Sequence, residues 1–340
     1  MSRLVHLLLA LASFVGISAL QRAPLPWPGG SGVADKWLYF EQHADEYDVV
    51  MIGSSRLYRS FAPREMRAVW VESGQKLSAF NLAAPGLGRF EADFLTAKVL
   101  AMEPKRLKTL VIELWRWDPN EMKRNELTPR AVYWHSAEQT FGALQSTLRY
   151  PELTPKKRWR LAFAHLQHFG LRLSNYGLGP VLVETLTAEP EPGSFAHVRK
   201  HHGYRALEEE PFGSIRERRD LFLEERGKFE DAMLERHAEV RAEDPSLQLN
   251  LSALERRVRA SREAGVELIF VVPPGPWAPP SELELDVDPA PPVLSYSDRE
   301  RYPYLYREEG RFDRFHVTAK VAKQLSRQFA RDLLPFLAKP

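Results

Sequence analysis

The sequence contains no cysteine, which excludes disulfides, thiolate nucleophiles and cysteine-based zinc sites. It also lacks an excess of charge of either sign: 47 Lys and Arg against 45 Asp and Glu leave a formal net charge of +2. That balance gives no support for a nucleic-acid binder, which usually presents a strongly basic face. No glycine-rich phosphate loop of the Walker or dinucleotide type occurs, and the middle of the chain shows neither an internal repeat nor a low-complexity tract. Beyond residue 22 no stretch is apolar and long enough to cross a bilayer, so the body is expected to be soluble. What remains is 44% hydrophobic and 11% aromatic over 340 residues. That describes a globular chain, long enough for one α/β domain with insertions or for two modest domains.

Arg3 precedes an apolar run from Leu4 to Leu20, and a Pro- and Gly-rich segment from Gln21 to Gly30 follows. A helix cannot continue through that segment. Residues 1–22 are therefore expected to be a cleaved signal peptide or a retained membrane anchor, facing the rest of the chain out of the cytoplasm. Residues 23–46 read as a linker and entry segment leading into the domain.

From residue 47 the chain alternates. Tyr47–Gly53, Leu77–Leu82, Thr109–Leu114 and Val266–Val272 are short apolar runs with the look of buried parallel strands. Pro63 opens a helix through about Val71. Phe90, Phe94, Ala97 and Ala101 recur at helical spacing, as do Leu251, Leu254 and Val258, and finally Val317, Val321, Leu325 and Phe329, with a stop expected near Pro335. Residues 120–250 read as an insertion with charged, exposed helices such as Ile215–Ala242. The Pro-rich stretch up to Tyr306, with Trp277, Tyr296, Tyr302, Tyr304 and Tyr306, reads as a loop that acts as a lid or substrate wall, or as a surface excursion. Strand–helix alternation of this kind implies an α/β fold with a parallel sheet covered on both faces. Ligands of such sheets sit beyond the carboxyl ends of the strands. Ser54, Ser55, Asn81, Gly86 and the residues after Leu114 all lie there.

Two motifs carry chemistry. Gly53-Ser54-Ser55-Arg56 places a hydroxyl just past a strand, where free amides can stabilise an oxyanion. Taken alone, a serine there reads more readily as a helix cap. Asp313-Arg314-Phe315-His316 places a carboxylate three residues before an imidazole at the start of the last helix. A serine nucleophile needs such a base, and the base needs such a carboxylate. Alone, that pair is a cap and a structural histidine.

Together, these motifs in an α/β order resemble the SGNH/GDSL hydrolase superfamily, in its relaxed Gly-Ser-Ser form. The resemblance covers about residues 48–114 and 265–336. It implies a three-layer α/β sandwich with a parallel flavodoxin-like sheet plus a largely helical insertion. It implies Ser55 as nucleophile, His316 as base and Asp313 as its partner. The Asn81-Leu-Ala-Ala-Pro-Gly86 segment matches the family's second block, making the amides of Ser55 and Gly86 the oxyanion donors. The third block, normally Gly-x-Asn-Asp, is missing, and Asn120 is a substitute several residues late. The branch it most resembles is exported and acts on cell-envelope glycans as esterase or O-acyltransferase. An acylated carbohydrate or other small ester is thus the expected partner, with no metal or cofactor required. Trp115 and Trp117, with Tyr133 and Trp134, are candidate walls of a sugar cleft or ordinary core. His201-His202 reads as surface rather than as a metal pair. The alternative is a catalytically reduced, glycan-binding or scaffolding protein of the same fold.

Overall fold

The computed structural model describes the chain except residues 1–2, 23–31, 115–117, 119–121, 123–124, 180–182, 184–193, 229–250, 276–284 and 338–340. Five strands, β1 Val49–Ile52, β2 Ala79–Asn81, β3 Thr109–Glu113, β4 Glu267–Val272 and β5 Val293–Ser295, form one parallel sheet in the order β2-β1-β3-β4-β5. This is the flavodoxin-like order, whose direction reverses between β1 and β3. The helices are α1 Arg3–Arg22, α2 Gly32–His43, α3 Ser55–Ser60, α4 Pro63–Glu72, α5 Arg89–Ala101, α6 Pro129–Trp134, α7 Ala137–Arg149, α8 Pro155–Leu173, α9 Ser194–His201, α10 Gly213–Glu224, α11 Leu251–Glu263 and α12 Ala319–Leu337.

The strand interiors, Val49–Ile52, Leu110–Ile112 and Leu268–Val272, are apolar because helices cover both sheet faces. Successive residues point to opposite sides. Val50, Ile52 and Phe80 pack with Trp37, Phe40 and Leu95 from α2 and α5. Val49, Met51 and Val111 pack with Leu57, Trp70 and Phe329 from α3, α4 and α12. Each such side chain, fully buried, contributes about 1.5–3 kcal/mol of transfer free energy. Two buried hydrogen bonds fix α12 against α4: Trp70 Nε1 donates to Ala330 O at 3.0 Å, and the Ala62 amide donates to Ser326 Oγ at 2.7 Å.

Several expectations need correction. The segment read as a linker contains α2, whose Val33, Trp37 and Phe40 are fully buried core residues. The Pro-rich stretch holds the edge strand β5, which the sequence hid because it is only three residues long. Tyr296 is buried and donates to Asp332 Oδ2 at 2.6 Å, and Tyr306 OH donates to the Tyr296 carbonyl at 3.2 Å. Both are therefore framework rather than lid, while Trp277 lies outside the described residues. The last helix starts at Ala319, three residues after His316, and is described to Leu337, close to the stop expected near Pro335. Pro335 has no N–H to give the Arg331 carbonyl, so one intrahelical bond is lost in the last turn. The insertion is helical as expected: α6 to α10 are described in it, and the part of Ile215–Ala242 beyond residue 228 is outside the described residues.

Candidate active site

Because the strands are parallel, β1, β2 and β3 deliver their carboxyl ends to one side of the sheet, and α3 begins immediately beyond β1. Ser54, extended at φ −78° and ψ −173°, caps α3: its hydroxyl accepts from the Arg56 amide at 3.2 Å. Capping thus falls to Ser54 and leaves Ser55 available. The Ser55 amide, in the first turn of α3, has no intrahelical carbonyl to donate to.

Ser55 Oγ lies 2.9 Å from His316 Nε2, and His316 Nδ1 lies 2.8 and 2.9 Å from the two carboxylate oxygens of Asp313. A carboxylate only accepts, so Nδ1 carries the ring proton and Nε2 is the acceptor for the serine hydroxyl. Asp313 Oδ1 also accepts from the Phe315 and His316 amides at 2.8 and 2.9 Å. The DxxH turn thereby fixes its own carboxylate. Three residues separated by up to 261 positions (316 − 55) converge in a chain of hydrogen bonds, as the sequence motifs anticipated.

The charges around the pair set its protonation. Burial pushes His316 below the ordinary imidazole pKa; the Asp313 carboxylate opposes this, and the Arg218 and Arg311 guanidinium groups reinforce it. Burial alone would raise Asp313, but the hydrogen bond and charge of His316, the Phe315 amide and Arg218 outweigh it and hold the carboxylate well below its usual range. At neutral pH the imidazole is a free base and the carboxylate is ionised. That is the state a general base requires.

Arg218 comes from α10 in the insertion. Its guanidinium donates to Asp313 Oδ2 and lies 3.5 Å from His316 Nδ1. Arg219 next to it donates to the carbonyls of Arg311 and Phe312. The insertion therefore participates in the site, contrary to the reading of its charged helices as merely solvated. A chain of Arg and Glu at mixed spacing gave no signal of which arginine turns inward.

The loop of the second block is tied to the serine helix and to the insertion. Asn81 is fully buried. Its amide nitrogen donates to the Phe61 carbonyl at 2.8 Å and its oxygen accepts from the Ala83 amide at 3.1 Å, tying the loop after β2 to the end of α3. Gly86 has φ +64°, a left-handed conformation that side-chain-bearing residues rarely adopt. Carbonyls along this loop are held by cations and amides from elsewhere. Arg130 Nη1 donates to Pro85 O at 2.9 Å, Asn125 Nδ2 donates to Gly86 O at 3.2 Å, and Lys36 Nζ donates to Ala83 O. Arg130 is itself clamped by both carboxylate oxygens of Glu91, at 2.6 and 2.9 Å. Lys36 is buried, with its ammonium 3.6 Å from the centroid of the Tyr58 ring. Burial, and then the charge of Arg59, push its pKa well below the lysine range.

The third block is where sequence reasoning missed a residue. β3 ends in Glu113, whose side chain is fully buried. One carboxylate oxygen accepts from the Ser54 amide at 2.6 Å; the other accepts from Ser54 Oγ at 2.9 Å and from Arg56 Nε at 3.0 Å, with Arg56 Nη2 at 2.8 Å. Glu113 thus buttresses the turn that presents Ser55. A Cβ on Gly53 would come within 2.6 Å of Glu113 Cβ and Oε2, which explains the glycine there. The available signal was a lone carboxylate ending an otherwise apolar strand.

Asn120, Trp115 and Trp117 lie outside the described residues. Tyr133 and Trp134 are buried, and Trp134 stacks on His135 with centroids 3.7 Å apart, so these two are core and not cleft walls. His202 departs from the surface reading. It is partly buried, its carbonyl accepts from the Asn81 amide at 2.9 Å, and its ring meets Tyr47 edge-on. Among the described residues no group of His, Asp and Glu is arranged to hold a metal ion.

The class of molecule is thus defined: a flavodoxin-like parallel α/β sheet carrying a Ser-His-Asp hydrogen-bond chain beyond its carboxyl edge. Comparison with known protein families, curated proteins and solved structures returns no match.

Proposed function

We propose that this chain is an exported serine esterase or O-acyltransferase of SGNH type, acting on an acylated glycan or a similar ester. The observation that carries the reading is the hydrogen-bond chain itself, Ser55 Oγ at 2.9 Å from His316 Nε2 and His316 Nδ1 at 2.8 Å from Asp313. His316 takes the Ser55 proton as Oγ attacks the acyl carbonyl. The carbonyl oxygen becomes an oxyanion, for which the Ser55 and Gly86 amides are the candidate donors. Collapse breaks the bond to the leaving alcohol, which receives the proton from His316 and departs. An acyl group remains on Ser55. Water, or a sugar hydroxyl, then repeats the sequence in reverse, and the proton lost by the incoming hydroxyl returns through His316 to Ser55. Asp313 holds the imidazole tautomer and stabilises the imidazolium at each stage.

The N-terminal apolar helix is compatible with export, either as a signal peptide or as an anchor that keeps the enzyme at the outer side of the membrane. The alternative, a catalytically reduced glycan binder, is favoured by one feature: β3 ends in a carboxylate and not in an amide donor. Labelling with a fluorophosphonate probe separates the two. The enzyme reading requires labelling that Ser55→Ala abolishes. A folded protein that does not label would sink it and leave the binding reading.

A further inference from the structure

We propose that the outward face of α8 lies on the surface of an anionic phospholipid bilayer, beside α1, so that the insertion rests on the membrane. The proposal rests on α1 remaining as an anchor and goes beyond the ester chemistry of the site.

Four observations carry it. First, Arg3–Leu20 of α1 forms an 18-residue window of mean hydropathy 1.9, of which 6% is buried in the protein. At 1.5 Å per residue such a helix extends about 27 Å, close to the hydrocarbon thickness of a bilayer. Second, the end of that apolar run is joined to the end of α8. Ser18 Oγ donates to the Leu173 carbonyl, and Asn175 Nδ2 donates to the Ser18 carbonyl at 3.0 Å. If α1 spans the bilayer, Ser18 is near its boundary, and the carboxyl end of α8 is brought to the same level.

Third, α8 is apolar on its outer side as well as its inner one. Its inner face buries Leu161, Ala162, Ala164, His165 and His168. Its outer face carries Trp159, Phe163 and Leu166, which are 69%, 67% and 51% exposed. Their spacing of four and three residues places them on one stripe. Contiguous large side chains exposed in this way mark an interaction surface rather than ordinary solvent-facing decoration. A tryptophan among them suits the interfacial zone, where its ring has an apolar body and a polar N–H. α7, which packs against α8, adds exposed Phe141 at 69%.

Fourth, the charge of α8 is of one sign. Its sequence PKKRWRLAFAHLQHFGLRL contains no Asp or Glu, and Lys156 and Arg160 flank Trp159 on the exposed face. A basic helix with aromatic and aliphatic residues on the same outer side has the composition of an interfacial membrane helix, drawn to anionic headgroups. A protein partner or a second copy would satisfy the apolar stripe. The tether to α1 and the absence of acidic residues favour the lipid.

The lack of cysteine makes the test direct, because one introduced cysteine is unique. Phe163→Cys, Val71→Cys and Leu8→Cys are each spin-labelled in the full chain. The protein is reconstituted into vesicles of phosphatidylethanolamine and phosphatidylglycerol. Collision with oxygen, which partitions into lipid, is compared with collision with a water-soluble nickel chelate. The Leu8 label is expected to report the bilayer interior, the Val71 label on α4 to report water, and the Phe163 label to favour oxygen several-fold over Val71. Lys156→Glu with Arg160→Glu should lower that ratio at Phe163. A Phe163 label indistinguishable from Val71 while Leu8 is in the bilayer overturns the proposal without touching the anchor. A Leu8 label in water overturns it through the anchor. Dipolar broadening between Phe163 labels in place of lipid contact would show a second copy on the stripe and also overturn it. Fluorophosphonate labelling of Ser55 in the same samples reports the hydrolase reading independently.

Discussion

Replacing Glu113 with Gln tests whether the buried carboxylate holds the serine turn. The change keeps the shape of the side chain but removes its charge and turns one acceptor into a donor. Four donor contacts reach the carboxylate, from the Ser54 amide, Ser54 Oγ and two nitrogens of Arg56, at 2.6 to 3.0 Å. The Glu113 side chain is wholly inaccessible and that of Arg56 is 9% exposed, so solvent screens little of the loss. Leaving one charge of a buried pair without its partner typically costs about 3–5 kcal/mol. With an unfolding entropy of about 2.1 cal/mol/K per residue, a chain of this size loses roughly 1.4 °C of Tm per kcal/mol, so the expected drop is roughly 4–7 °C. Calorimetry or urea denaturation measures it. In parallel, the rate of fluorophosphonate labelling of Ser55 should fall, because the Gln amide faces the Ser54 N–H or the guanidinium and shifts the turn. The double variant Arg56→Leu with Glu113→Leu should recover much of the stability, since a buried pair replaced by apolar groups is close to neutral. It should not recover the labelling rate. A Glu113→Gln protein that melts within about a degree of the parent and labels at the parental rate would refute the buttress.

Arg218→Ala should move the acid limb of the pH–rate profile upward. In the proposed mechanism a neutral His316 is the active form, and the Arg218 charge helps to depress its pKa, behind burial and against Asp313. Arg218→Lys should keep the limb near its parental position, and an unmoved limb in Arg218→Ala would remove Arg218 from the electrostatics of the site. Gly86→Ala should lower the labelling rate with little change in Tm, because a Cβ strains a residue at φ +64° while meeting nothing closer than 3.7 Å. Unchanged reactivity would dissociate Gly86 from the oxyanion. The buried histidines of the insertion should make stability acid-sensitive. Burial, and then His168, push His165 down from 6.5 to about 4. Between those values the unfolded chain binds a proton that the native state refuses, so stability is full above pH 6.5 and falls as pH drops towards 4. From pH 8 to pH 5 this one group should cost about 2 kcal/mol. His165→Gln, which can still donate to His135 Nε2 in place of the 3.0 Å contact from His165 Nδ1, should flatten the urea-midpoint profile by that amount. A parallel profile would show that His165 is not depressed.

Much of this molecule was legible in one dimension because its determinants are local. Apolar runs ending in Gly53 or followed by Pro273 announce buried strands, since only covered parallel sheets tolerate such runs. Ser55 beyond β1 and the three-residue spacing of Asp313 and His316 depend on turn geometry that a few residues fix. Gly86 was singled out by the match of its segment to the second block of the family the sequence resembles, and its φ of +64° gives the physical reason for a glycine there. The order of these elements along the chain was enough to imply the sheet and the edge at which chemistry would occur.

Contacts across long separations were not legible. Glu113 could be seen as a carboxylate on an apolar strand, but its partners Ser54 and Arg56 lie 59 and 57 residues away in sequence. Arg218 is one arginine among several on a charged helix, and only the packing of α10 against the DxxH turn selects it. Lys36 sits in a segment whose neighbours read as a linker, yet the α2 core buries its ammonium against Tyr58 and the Ala83 carbonyl. The sequence by itself therefore singled out Ser55, His316 and Asp313 as candidates, through two motifs and the family they resemble, because turn chemistry and strand ends are local properties. Tertiary structure decided what holds them: a carboxylate at the end of β3, an arginine from the insertion and a buried lysine. Burial and pairwise distance bring those groups to the site, and neither is encoded in residue spacing.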